Sequence, residues 1–392
     1  MSSVQLPGIL NCLSGLFLLV VILIASVPVN VLQLLCVLLG LRGYTQILAN
    51  LWWALLQFAL EVWSGVPILF TGDPIPSRPE NAIMLGNHAG GIDFIVGVSL
   101  AGHGGMGCGR IATLMKEVLK YFPMVGWTNA LQGSLFLKRN WEKDKSQLDK
   151  CLASMRSGEF PRPFWVGIYP EGTRITPAKL QESQTICREK GWPLLHKVLA
   201  PRPKGFVYIA QNLKGTVSAL YVVTVRYEEC PVFVRHAFLL GRFKTKRVHV
   251  NFRRIDISKV PEGEDELKRF LFDIFLYKDK MLTAFDRLKF FPGRRYFHAP
   301  DYHSLGANFL AWACLICVII WYTCGSSFGL IAAALAVYSG YLASVRLSEA
   351  VAAGKKWASE DPTKVSVDAL IVQEKEIAQA IRSVEQSLWK RD

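Results

Sequence analysis

Residues Ile9 to Leu41 form an apolar run without one charged side chain. A helix crossing hydrocarbon needs ~20 apolar residues, so this run is too long for one simple span. Pro28 and Asn30 interrupt it near the middle. One tilted, kinked span and a tight hairpin both satisfy the pattern. The start, Met-Ser-Ser-Val-Gln, lacks the basic region of a cleaved signal peptide. A second apolar segment, Ile47 to Phe70, carries Glu61 and is bracketed by Trp52, Trp53 and Trp63. A lone carboxylate is costly at bilayer mid-depth and Trp prefers the headgroup level. The pattern therefore predicts a helix lying at the interface.

After the Pro/Gly-rich linker Thr71–Glu80, the pattern changes to short apolar runs. Ala82–Leu85, Ser134–Leu137, Phe164–Tyr169 and Val217–Val225 read as strands. Ile111–Tyr121 and Lys143–Met155 read as helices between them. Such alternation predicts an α/β domain with a central buried sheet flanked by helices. Leu305–Cys324 and Phe328–Val345 are each long enough to cross a membrane, and Gly325-Ser326-Ser327 joins them as a hairpin. Basic residues flank this pair on both sides, Arg287 to Arg295 before it and Arg346, Lys355 and Lys356 after it. The positive-inside rule places both flanks, and the domain before them, in the cytosol. Leu370, Ile377, Ile381, Val384 and Leu388 lie at helical spacing in a polar tail. The expected organisation is 1–72 membrane segments, 73–300 catalytic domain, 301–346 transmembrane hairpin and 347–392 amphipathic tail.

Composition narrows the classes. Apolar residues make up 51% and charged residues 19%, which excludes a disordered chain. The net charge of +14 beside apolar spans favours anionic lipid over nucleic acid, and no aromatic–basic recognition module accompanies the basic stretch Arg235–Arg254. Nine scattered cysteines give no disulfide framework and suit a reducing compartment. The histidines show no metal-ligand spacing, so neither a metal nor a cofactor is expected. Gly102-His-Gly-Gly-Met-Gly107 matches a dinucleotide-binding glycine pattern, but no acidic residue follows about 20 positions on. It reads as a flexible surface loop.

Two short blocks carry chemistry. In Asn87-His88-Ala-Gly-Gly-Ile-Asp93 a His and an Asp lie five apart. On a straight helix they diverge by about 140°, so they meet only if the chain bends, and Gly90-Gly91 permits that. A carboxylate-oriented imidazole is a general base. In Tyr169-Pro-Glu171-Gly172-Thr173-Arg174 an acid, a glycine and an arginine end an inner strand, where open α/β sheets bind ligands. The arginine fork suits phosphate oxygens.

Together the blocks resemble the glycerolipid acyltransferases of the 1-acyl-sn-glycerol-3-phosphate (lysophosphatidate) acyltransferase type, closest to their eukaryotic endoplasmic-reticulum branch. The resemblance extends to Lys116-Glu117 with Pro123-Met-Val-Gly126-Trp127, to Leu135-Phe-Leu-Lys-Arg139-Asn-Trp141, to Pro201-Arg-Pro-Lys204-Gly205-Phe206, to Ala219–Val225 and to Phe291-Pro-Gly293. It implies that His88 and Asp93 are catalytic. It also implies that Lys116, Arg139 and Arg174 surround the acceptor phosphate, that Glu171, Gly172 and Thr173 shape that site, and that Lys204 and Gly205 belong near it. Glu117 stands where the family commonly has a second lysine.

The implied reaction moves an acyl group from acyl-CoA, a co-substrate, to the sn-2 hydroxyl of lysophosphatidic acid, giving phosphatidic acid. An imidazole, with an ordinary pKa near ~6.5, can take the hydroxyl proton at cytosolic pH. Membrane lipid is the other expected partner, and the endoplasmic reticulum membrane the expected location. Alternatives are the same transfer to a lysophosphoinositide or lysocardiolipin, and a catalytically silent membrane scaffold. A transporter is disfavoured by the scarcity of ionisable groups in the apolar segments.

Overall fold

A computed structural model describes residues 8–138, 140–229 and 234–360. Arg139 and residues 361–392, which hold the helical spacing of the expected tail, lie outside the described residues.

Helix α1 (Gly8–Leu38) is a single helix with Pro28 inside it, so the hairpin alternative does not hold for this stretch. At 1.5 Å per residue it is ~46 Å long. One face (Phe17, Leu18, Val21, Ile22, Ala25, Val29) is buried against the protein, while Leu13, Leu16, Val20, Val27, Val31 and Leu34 are exposed. α2 (Gly43–Gln57) runs into a π-helical turn, Phe58–Trp63. Here the structure corrects the interfacial expectation. Trp52, Trp53 and Trp63 are buried, and their indole N–H groups donate to Ile22 O, Gln132 Oε1 and Ser14 Oγ. Glu61 is also buried, accepting from Gln57 Nε2 and meeting His103 Nε2 at 2.9 Å. The tryptophans knit α2 and the π-helical turn to α1 and to Gln132; they do not form a headgroup belt.

The chain then builds the sheet. β1 (Ile68–Gly72) and β2 (Ala82–Gly86) precede α3 (Asp93–His103), β3 (Ile111–Lys116), α4 (Val125–Leu131) and β4 (Leu135–Leu137). α5 (Trp141–Ser157), β5 (Trp165–Ile168), α6 (Pro177–Glu189), α7 (Pro203–Leu213) and β6 (Ala219–Tyr227) follow. α8 (Val234–Leu239), β7 (Val248–Asp256), α9 (Glu264–Leu288) and β8 (Arg295–Tyr296) close the domain. The strand order is β4-β3-β5-β2-β6-β7-β1-β8, with β4, β3, β5, β2 and β6 mutually parallel. β2 and β5 are buried along their whole length, as their unbroken apolar runs require when both faces are covered. Alternate residues feed two cores. Met84, Trp165 and Tyr221 pack under α1, α2 and α3, and Ile83, Val166 and Leu220 under α5, α7 and α9.

Ile111–Tyr121, expected as a helix, is β3 followed by a 3₁₀ turn, Glu117–Tyr121. Its apolar positions include Val118 and Leu119, which are exposed and pack in no core. Pairing with β5 and β4 decides the strand. The glycine loop 102–107 is not a surface loop either: His103 and Met106 are buried in it, and His103 Nδ1 lies 3.1 Å from His298. β1 adds to the sheet residues that the pattern had assigned to the membrane segments.

α10 (Tyr302–Cys324) and α11 (Ser326–Ser359) form the hairpin. α11 runs past residue 346, because Arg346 donates to Trp63 O and Gly241 O and Trp357 packs on His249. Among the described residues α1, α10 and α11 are long and apolar enough to cross a membrane.

Candidate active site

Parallel pairing turns the C-terminal ends of β3, β5, β2 and β6 to one edge of the sheet. After β2 the chain passes to α3 on one face, and after β5 to α6 on the other. The gap between these diverging connections is where open α/β sheets bind ligands. The His88 loop follows β2 and the Glu171–Arg174 turn follows β5, so the two blocks flank this gap.

The bend required by the His88–Asp93 spacing is present. His88 Nδ1 lies 3.1 Å from Asp93 Oδ2. Facing a carboxylate, Nδ1 carries the proton, which leaves Nε2 as the basic nitrogen. Asp93 is 4% exposed and opens α3, where the helix dipole favours negative charge. Its Oδ1 accepts the Gly90 N–H at 2.8 Å and the Tyr227 hydroxyl at 2.7 Å. The imidazole stacks on Tyr169, ring centres 4.5 Å apart and planes 18° apart. Tyr169 in turn donates its hydroxyl to Asp93 O. Gly86 makes room for that ring, since a Cβ there would meet it at 2.5 Å. Asn87 ties the loop to β6 by exchanging two hydrogen bonds with the Val225 backbone.

Glu171 points inward. It is 2% exposed; Oε1 accepts the His88 N–H at 2.7 Å and Oε2 the Leu199 N–H at 3.0 Å. Burial pushes its carboxyl up to about 7, against the opposing pull of those two N–H groups, His88 and Lys278. The acid of this turn therefore holds the histidine loop. Gly172 takes φ +66 in this turn, and a Cβ there would meet the Arg202 side chain at 3.6 Å. Thr173 Oγ1 accepts from Lys179 Nζ. The Arg202 N–H donates to Pro170 O, which joins the turn to the start of α7, where Lys204 and Gly205 lie. Lys116 ends β3 at the same edge and is exposed. β5 separates β3 from β2 in the strand order, and at Lys116 β3 pairs with β4. Arg174 belongs to the turn itself.

Sequence reasoning missed Asn87, Tyr169, Tyr227, Lys278 and Asp279. The first two adjoin the motifs and carried no separate signal. Lys278 did carry one: it interrupts the apolar face Ile274, Phe275, Met281, Leu282 of α9. Among the described residues no group of His, Cys, Asp and Glu could hold a metal ion.

A family model described as Acyltransferase matches residues 68–228, and one described as Acyltransferase C-terminus matches residues 238–312. The 1-acyl-sn-glycerol-3-phosphate acyltransferase 2 of Brassica oleracea is 33% identical over 306 residues, covering 75% of this chain and 76% of that protein. The gamma form from Homo sapiens is 32% identical over 269 residues, covering 67% and 69%. The crystal structure of the 1-acyl-sn-glycerophosphate acyltransferase from Thermotoga maritima aligns at 18% identity and TM-score 0.41, covering 71% of this chain and 96% of that one.

Proposed function

The chain belongs to the 1-acyl-sn-glycerol-3-phosphate acyltransferase family, and from that premise we propose that it transfers an acyl group from acyl-CoA to the sn-2 hydroxyl of lysophosphatidic acid. His88 Nε2 takes the hydroxyl proton as the oxygen attacks the thioester carbonyl. The tetrahedral intermediate then collapses, the C–S bond breaks, and the CoA thiolate leaves with the proton held on the imidazolium. Asp93 fixes the ring tautomer and stabilises the imidazolium. Base catalysis of this kind contributes ~10²–10⁴-fold. Lys116, Arg139 and Arg174 grip the phosphate, with Lys204 and Gly205 at its rim, while Glu171, Gly172 and Thr173 shape the turn. The catalytic domain works on the cytosolic face of the endoplasmic reticulum membrane.

The observation that carries this reading is the hydrogen bond from the His88 N–H to Glu171. It fastens the base and the cationic turn to each other, so a lipid phosphate and its nearby hydroxyl meet both. An acceptor panel tests it with the purified protein in detergent. Lysophosphatidic acid should be acylated at least ~10-fold faster than lysophosphatidylinositol or lysocardiolipin, because masking the phosphomonoester removes a charge that the cations pair with. Equal rates on the masked acceptors contradict the assignment.

A further inference from the structure

The 3₁₀ turn after β3 and the start of α4 hold apolar side chains outward, where the fold leaves them uncovered. Val118, Leu119, Tyr121, Phe122 and Trp127 all lie on the surface, Tyr121 72% and Phe122 63% exposed. The segment is built, not slack. The Phe122 N–H donates to Leu119 O and the Gly126 N–H to Phe122 O. A Cβ at Gly126 would strike Leu119 O, so the turn sits directly on α4. Met124 turns the chain with φ +68 and packs on the core beneath. Large apolar side chains concentrated in one such stretch of surface mark a membrane or partner site.

The surroundings of this patch point to lipid. Thr128, next to Trp127, accepts from Asn30 Nδ2 of α1 at 2.8 Å, which puts the patch beside the last turns of α1. There α1 turns Val27, Val31, Leu34 and Leu38 outward, and this helix is long and apolar enough to cross a membrane. Lys120 is the one charged residue in the sequence from 118 to 127, and it is exposed. Glu117, just before it, pairs with Lys138 at 3.2 Å. Tyr and Trp beside an exposed lysine, with no acid among them, suit the headgroup region of an anionic bilayer. We propose that residues 118–127 insert into the phospholipid bilayer and extend the lipid-facing surface of α1 to the active-site edge. Lys116 ends β3 two residues before the patch, so insertion brings it to headgroup depth, where the phosphate of a lysophospholipid lies. The acceptor then meets this edge without leaving the membrane. That consequence rests on the function proposed above; the insertion itself does not.

The test uses the full-length protein, one chain per nanodisc of phosphatidylcholine and phosphatidylserine, with some of the phosphatidylcholine bearing a diazirine on its acyl chain. After irradiation of the wild-type protein, peptide mass spectrometry should find lipid adducts on 118–127 as well as on the exposed face of α1. It should find none on α5, which packs on the opposite face of the sheet. In the same discs, a water-soluble, membrane-impermeant maleimide reports access from water. The thiol introduced by Tyr121→Cys should react at least ~10-fold more slowly than the one introduced by Ser157→Cys at the exposed end of α5. Equal labelling rates overturn the proposal, and so does an absence of adducts on 118–127. Slow labelling without adducts means that protein rather than lipid covers the patch, and overturns it too. None of these readouts needs turnover, so phosphatidate formation by the wild-type protein judges the proposed function separately.

Discussion

Replacing Asp93 with Asn changes one atom and should disable the base. Asp93 Oδ1 receives two donors, the Gly90 N–H and the Tyr227 hydroxyl, while Oδ2 faces His88 Nδ1. The Asn oxygen therefore stays at the Oδ1 position, since an NH₂ placed there would confront an N–H. That puts the NH₂ group against His88 Nδ1, which must then accept. The ring proton moves to Nε2, the nitrogen that ought to take the hydroxyl proton. The loss equals the value of general-base catalysis, ~10²–10⁴-fold in kcat. Folding should change little, because the loop keeps its bonds to Gly90 and Tyr227, and the acceptor KM should hold, because no phosphate contact is touched. The assay is steady-state phosphatidate formation by purified Asp93→Asn in detergent, beside a melting curve. Activity within three-fold of wild type would show that the imidazole does not need its carboxylate, and the tautomer argument would fall.

Two further outcomes follow from the geometry. Gly86→Ala drives a Cβ into the Tyr169 ring; overpacking of this kind costs ~1–3 kcal/mol, so Tm should drop and kcat should fall with it as the ring beneath His88 shifts, whereas unchanged melting and kcat would mean that Tyr169 does not support the base. Arg174→Ala should raise the acceptor KM by roughly 10–100-fold, the worth of a charged hydrogen bond of ~1.5–3 kcal/mol, with Arg174→Lys recovering only part of it; an unaltered KM removes Arg174 from the phosphate site.

Local pattern carried the fold wherever pattern and packing agreed. The buried strands β2, β5 and β6 were legible because sheets covered on both faces need continuous apolar runs. β3 was not, since its exposed neighbours Val118 and Leu119 carried the apolar positions on beyond it. Glu61 and its flanking tryptophans were misjudged for a related reason: composition does not reveal that α1 and α3 bring partners to them. At the site, the five-residue spacing of His88 and Asp93 required a bend, which the structure contains, while the roles expected of them and of the turn at Glu171 came from the family resemblance. Their supports were not legible. Tyr227 lies 134 residues from Asp93 and Lys278 lies 193 from Leu85, so only the strand order brings them in. Glu171 shows the same limit from the other side. Its place in the motif suggests a group facing the phosphate, yet its hydrogen bonds turn it toward the histidine loop.

The most direct measurement is acyl transfer by purified His88→Ala, followed with radiolabelled acyl-CoA and lysophosphatidic acid in detergent beside the wild-type protein. The account predicts that wild type forms phosphatidate, and that the variant melts like it and binds the acceptor with a similar KM while turning over at least ~10²-fold more slowly. Phosphatidate formation by the variant at the wild-type rate would contradict the assignment of His88 as the base.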